Sequence, residues 1–164
     1  MKVLFLDIDG PLAYGDEEDA ATKIAPGLII PYPYVEQDCK SLSEIIDTTG
    51  AKIVLSSDWR LYYTIEEMNT ILAYFGVPPV IIGETSRFKA KLSSSSTMDR
   101  AYQIMGWVDR HEPEKWVAVD DFDLQPYFKD YGYKDNFVRT RGIRNEDKTP
   151  SLTDVKDLII RKLN

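Results

Sequence analysis

The chain is an α/β protein built on a mostly parallel sheet, and three features of its 164 residues predict this. Five short apolar runs, too continuous to alternate, have the character of strands buried on both faces. Stretches with helical spacing separate most of these runs, and Gly residues stand where helices should stop. Strands alternating with helices of this length form βαβ units rather than hairpins.

The first run, residues 2–6, is followed at once by Asp7-Ile8-Asp9-Gly10-Pro11-Leu12. Residues 13–34 break the alternation. They carry an acidic patch (Asp16, Glu17, Glu18, Asp19), then Ile24-Ala25-Pro26-Gly27 and Leu28-Ile29-Ile30-Pro31-Tyr32-Pro33-Tyr34. The segment leaves the carboxyl end of the first strand, where open α/β sheets bind ligands, so a flap over the site is expected. It is too short for a separate cap domain, and the whole of 1–164 reads as one domain.

Val35, Cys39, Leu42, Ile45 and Ile46 then share a helical face, with Gly50 as the stop. Ile53-Val54-Leu55 is the second strand. Ile65, Met68, Ile71, Leu72 and Phe75 form another helix ending at Gly76, and Val80-Ile81-Ile82 another strand. The serines at 93–96 lead into a helix starting near Thr97 and bearing Met98, Ala101, Tyr102, Met105 and Val108. Trp116-Val117-Ala118-Val119 and Asn136-Phe137-Val138 complete the strands. Val155, Leu158, Ile159 and Leu163 mark a final helix, with Ser151 and Asp154 spaced as a capping box.

Composition narrows the function. Hydrophobic residues make up 43% and charged residues 29%, an ordinary soluble balance, and no apolar run reaches the ~20 residues of a membrane span. A cytoplasmic protein with no obligate protein partner is expected. The net charge of −7 opposes extended contact with a phosphate backbone, though not a local site for a small phosphorylated substrate. The single Cys39 offers neither an internal disulfide nor a thiolate zinc site and reads as a buried thiol. The single His111 lies where a helix runs into a loop and is assigned no role.

The chemistry lies at strand ends. A buried strand discharging into Asp7 and Asp9 is costly unless something compensates the charge, and a divalent cation with oxygen ligands does so. Gly10 allows a sharp turn that lets backbone amides approach an anion. A strand-ending Asx turn is the competing interpretation. A second strand ends in Ser56-Ser57-Asp58-Trp59-Arg60, whose hydroxyls can bond a phosphoryl oxygen or simply cap a helix. A third runs into Asp120-Asp121-Phe122-Asp123. Acids from two strand ends of one small parallel sheet would meet, which implies Mg²⁺. A cation must balance them. Arg100, in the first turn of its helix, is preferred over Lys89, Lys91 and Lys115.

In this order, Asp7-Ile8-Asp9-Gly10, Ser56, a basic residue at a later helix start and Asp120-Asp121 resemble the four motifs of the haloacid dehalogenase superfamily. The resemblance implies a Rossmann-like three-layer fold and hydrolysis through an aspartyl phosphate. Asp7 would be the nucleophile and a metal ligand. Asp9 would act as acid and base and lend its backbone carbonyl to the metal. Ser56 and Arg100 would hold phosphoryl oxygens and charge, and Asp121, with Asp120 close behind, would complete the Mg²⁺ site. Ile8, Gly10, Ser57 and Arg60 would bind substrate.

Leu55-Ser56-Ser57-Asp58-Trp59-Arg60, Asp99-Arg100-Ala101-Tyr102-Gln103-Ile104 and Trp107 further resemble a small, nearly capless branch associated with RNA repair, akin to polynucleotide-kinase phosphatase domains. That implies a nucleotide or nucleic-acid-end phosphate as substrate, with Tyr14, Tyr32 and Tyr34 able to stack on bases and Trp59 on a base or in the core. Pro11 departs from the Thr that often follows the motif's Gly. A nucleotidase or small-molecule phosphatase is the enzymatic alternative, and a metal-binding interaction module that keeps the fold is the non-enzymatic one. A phosphomutase would lack a cap to exclude water.

Overall fold

The computed structural model describes residues 1–14, 21–87, 95–142 and 148–164. The acidic patch at 16–19, Lys89, Lys91 and the first two serines of the 93–96 run lie outside the described residues.

Strand β1 (Lys2–Leu6) is the middle of a five-stranded parallel sheet. The other strands are β4 (Lys52–Leu55), β5 (Ile81–Glu84), β6 (Lys115–Asp120) and β7 (Phe137–Arg139), in the order β5-β4-β1-β6-β7. β1 pairs with β4 on one side, Leu4 opposite Ile53, and with β6 on the other, Leu4 opposite Val117.

Alternation along β1 divides the core in two. Leu4 and Leu6 join Ile53, Leu55, Val117 and Val119 on one face. That face is covered by α1 (Glu36–Thr49), α2 (Ile65–Tyr74) and α5 (Leu152–Leu163). Val3 and Phe5 point the other way, towards α3 (Ser96–His111) and α4 (Gln125–Asp130). There Phe5 meets Trp107 and Trp116 edge-on at 5.3 and 5.6 Å. The result is the expected three-layer Rossmann-like α/β fold, its central strand buried on both faces as its unbroken apolar run requires.

The helix stops and caps follow local chemistry. Gly50 ends α1 with a φ of 67°, and Ser151 and Asp154 cap α5 reciprocally. Thr64 and Glu67 form a second capping box at α2. Outside the flap, two short elements carry no sequence signal, a 3-10 helix at Asp58–Leu61 and α4. Four and six residues are too few to show a period.

The flap segment holds an antiparallel hairpin of β2 (Thr22–Ala25) and β3 (Leu28–Ile30), turned at Gly27 with a φ of 78°. Leu28 and Ile30 are buried in the core under it, whereas Ile29 between them is 54% exposed. The hairpin is therefore seated on the domain by alternate side chains.

Candidate active site

Strand order places the site. From β1 the chain proceeds through α1 to β4 on one side, and the crossover through α3 returns it to β6 on the other. Such a reversal opens a crevice at the carboxyl ends of the strands. The amide of Asp7 still donates to the Val119 carbonyl (3.0 Å), so the acid is held by the sheet it terminates. The chain then turns: Leu12 and Ala13 both donate to the Ile8 carbonyl, and Gly10 donates to Ala13 at 2.7 Å. Gly10 has a φ of 97°, and a Cβ there would lie 2.5 Å from the Arg141 carbonyl and 2.9 Å from Cβ of Asp121. Any side chain would push the turn off the second acid cluster. The Gly10 amide itself is engaged inside the turn. The Ile8 side chain is fully buried in the core.

Asp7, Asp120 and Asp121 bring carboxylate oxygens within 4.8 Å of one another. Arg100 reaches in from α3, its Nη1 3.1 Å from Asp7 Oδ1 and 2.9 Å from Asp120 Oδ2, and its Nη2 3.5 Å from Asp58. The helix begins at Ser96, capped by Ser95, so Arg100 falls in its second turn rather than its first. Its position follows from tertiary ion pairs, not from the helix end. Burial opposes charge on Arg100, but Asp7, Asp120 and Asp58 hold its proton above the ordinary range. Burial and the neighbouring Asp7 push Asp120 well up, and the same two causes, in that order, raise Asp121 to about 7.

Among the described residues, Arg100 makes the direct ion pairs to this group of three close carboxylates, to Asp7 and Asp120. An all-oxygen donor set of this kind fits a hard divalent cation. Asp120 is committed on both oxygens, to Arg100 and to the Phe122 amide at 2.9 Å. Asp121 is only partly buried, at the mouth of the cluster.

The Asp9 carboxylate is not part of this group. Its Oδ1 accepts from the Tyr32 hydroxyl at 2.6 Å and from Trp59 Nε1 at 2.8 Å. Burial raises its pKa more than these two bonds lower it. A core position for Trp59 is correct as far as burial goes, since the residue is 5% exposed, but its indole N–H also fixes the acid. Nothing local in the sequence links residues 9, 32 and 59; the flap and the 3-10 helix bring them together.

The Ser56 hydroxyl is buried with no partner among the described residues, a costly state that an incoming oxygen would relieve. Ser57 does not share this role. Its hydroxyl caps the 3-10 helix by accepting from the Trp59 amide. Arg60, expected to meet substrate, is turned inward at 3% exposure. It donates to the carbonyls of Ser56 (2.9 Å) and Ser57 (2.5 Å) and to Gln103 (2.9 Å), buttressing the turn that presents Ser56.

Tyr34 is 4% exposed and stacked on Phe75, so it cannot receive a base. Tyr14 lies under the Arg141 guanidinium at 3.5 Å. Lys115 opens β6 at the end opposite its acids and is no rival to Arg100. Cys39 is buried, its thiol pushed up to about 12, as an inert core residue should be. His111 stacks on Trp107 at 3.9 Å, away from the acids.

No described helix is long and apolar enough to cross a membrane. No curated protein and no solved structure matches the chain. A family described as "HAD domain in Swiss Army Knife RNA repair proteins" does match, over residues 3–146, a span that takes in Asp7, Ser56, Arg100 and Asp121. With the parallel sheet and the acid cluster at its carboxyl edge, that match places the chain in this family of haloacid dehalogenase (HAD) domains.

Proposed function

We propose that the protein is a Mg²⁺-dependent phosphomonoester hydrolase that works through a phosphoaspartate on Asp7. Its substrate would be a nucleotide or a nucleic-acid-end phosphate. The observation that carries the proposal is the meeting of Asp7, Asp120 and Asp121 beside the buried guanidinium of Arg100.

Asp7 attacks phosphorus in line, forming the Asp7–phosphorus bond as the bond to the ester oxygen breaks. Asp9 gives the departing oxygen its proton. Its raised pKa favours the protonated form needed for that step, and Tyr32 with Trp59 fixes the carboxyl group by one oxygen. Asp9, now ionised, takes a proton from water as that water attacks the phosphoaspartate, releasing phosphate and restoring Asp7. Ser56 donates its free hydroxyl to a phosphoryl oxygen, and Arg100 balances the charge that builds between nucleophile and phosphate. Asp7 and Asp121, with Asp120 behind them, would hold Mg²⁺, which supplies positive charge to the phosphoryl oxygens.

The test is hydrolysis of a phosphomonoester panel with and without Mg²⁺, with mass spectrometry of the peptide carrying Asp7. The expected result is Mg²⁺-dependent turnover and a phosphoryl adduct on Asp7. In Asp7→Asn both disappear, turnover by a factor on the order of 10⁴ or more. Hydrolysis that persists in Asp7→Asn, or that ignores Mg²⁺, contradicts the proposal.

A further inference from the structure

Two stretches of chain close on the Asp121 side chain, and each meets it with a glycine. One is the Gly10 turn, where a Cβ would lie 2.9 Å from Cβ of Asp121 and 3.2 Å from Cα of Gly142. The other is the stretch 139–142 that leaves β7 and runs beside the acid pair. There the Thr140 amide donates to the Asp120 carbonyl at 3.0 Å, and Arg139 Nε donates to the Asp121 carbonyl at 2.9 Å. The Arg141 amide is tied to the Pro150 carbonyl, also at 2.9 Å. At Gly142 a Cβ would lie 2.9 Å from Asp121 Oδ2 and 3.7 Å from its Cβ and Cγ.

Conformation accounts for glycine at position 10, with its φ of 97°, but not at position 142, where φ is not positive. Space accounts for it there. A methyl carbon does not pack at 2.9 Å from a carboxylate oxygen, since such contacts find their optimum near ~3.5 Å. Oδ2 is the end of a rotatable side chain, so a methyl group at 142 would swing the carboxyl group aside and leave the backbone in place.

We propose that Gly142 is a positioning residue for the metal site, its bare Cα forming the wall that sets the Asp121 carboxyl group for a small octahedral cation. The inference rests on the reading of Asp7, Asp120 and Asp121 as the Mg²⁺ site and adds a residue that is not itself a ligand. Asp121 has the greatest need of such a wall. Asp120 is fixed on both oxygens, by Arg100 and the Phe122 amide, and Asp7 is paired with Arg100. Asp121 is only partly buried, at the mouth of the cluster. Mg²⁺ demands near-ideal octahedral geometry at about 2.0–2.1 Å, whereas Ca²⁺ accepts oxygens at about 2.3–2.6 Å in flexible arrangements. A carboxylate free to swing therefore serves Ca²⁺ nearly as well as a fixed one, and Mg²⁺ much less well.

The experiment titrates Mg²⁺ and Ca²⁺ separately into wild type and Gly142→Ala by calorimetry. Chemical denaturation of the metal-free wild type, Gly142→Ala, Asp121→Ala and the double variant is measured alongside. In Gly142→Ala, Mg²⁺ affinity is expected to fall on the order of tenfold and Ca²⁺ affinity by clearly less. Whatever stability Gly142→Ala costs should vanish in the Asp121→Ala background, because the contact it violates is then gone. Unchanged Mg²⁺ affinity, equal losses for both ions, or the same stability cost with and without the Asp121 carboxylate overturns the inference. If Gly142→Ala is too unstable to titrate, the double variant decides: recovery of the fold supports the contact, and failure to recover overturns it. Wild type that binds neither ion overturns the metal reading and this inference together. Wild type that binds Mg²⁺ no better than Gly142→Ala does removes the inference alone.

Discussion

Two acid sites reach the Gly10 turn, one through Asp121 and the other through Arg141, and they solve the same electrostatic problem in different ways. Asp38, on α1, is 1% exposed and accepts four hydrogen bonds. The Tyr14 hydroxyl and Arg141 Nη2 each lie 3.0 Å from Oδ2, and the Thr153 amide and hydroxyl lie 3.0 and 2.6 Å from Oδ1. One carboxylate there has a full set of donors. Asp7, Asp120 and Asp121 crowd within 4.8 Å of one another, and Arg100 pairs with Asp7 and Asp120. The first site is complete without a ligand. The second sets three close acids against the guanidinium of Arg100 among the described residues, the arrangement expected of a candidate metal site rather than of one that ties loops together.

What the Asp38 site ties together is the edge of the three-acid cluster. It joins α1, α5 and the residues flanking the flap to Arg141, whose carbonyl closes against Gly10. Burial raises the Asp38 pKa and lowers that of Arg141, so the intact pair adds little net stability. Removing one partner is another matter, because it strands the other.

The largest effect is expected at Arg100. Arg100→Ala leaves two buried carboxylates without their counter-charge and should cost about 3–5 kcal/mol in chemical denaturation, with Mg²⁺ restoring part of it. A variant as stable as wild type would mean that the acids are not charged in the fold. Asp38→Ala should cost about 2–4 kcal/mol by orphaning four donors, with Mg²⁺ affinity unchanged. Loss of metal binding in that variant would erase the distinction between the two sites. The smallest effect belongs to Tyr32→Phe, which removes one of two bonds to Asp9. It should lower kcat by about fivefold and leave KM nearly unchanged. A change confined to KM would assign Tyr32 to substrate binding instead.

The parts that depended on local pattern were legible before folding. The buried run ending in Asp7, the stops at Gly50 and Gly76, the Ser151–Asp154 cap and the second acid pair at Asp120 and Asp121 all announce themselves within a few residues. The flap was visible as an interruption, but its hairpin was not, because strands of four and three residues carry too little alternation. Side chains take on contacts that the local pattern does not show. Ser57 and Arg60 sit in a motif that suggested phosphate binding, yet one caps a 3-10 helix and the other braces its backbone. Trp59 and Tyr32 were read as stacking or packing groups, and their polar atoms converge on Asp9 from segments far apart in the chain. Ser56 and Ser57 are both fully buried, and what separates them is that the Ser56 hydroxyl has no partner among the described residues.

The contrast between the two acid sites is tested most directly by calorimetric titration of Mg²⁺ into wild type, Asp121→Asn and Asp38→Ala. Saturable binding at one site is predicted in wild type and in Asp38→Ala. In Asp121→Asn binding is lost, and the metal-free protein melts about 2–4 °C higher because one crowded carboxylate is gone. Binding that survives in Asp121→Asn, or that disappears in Asp38→Ala instead, would contradict the assignment of the three-acid cluster as the metal site.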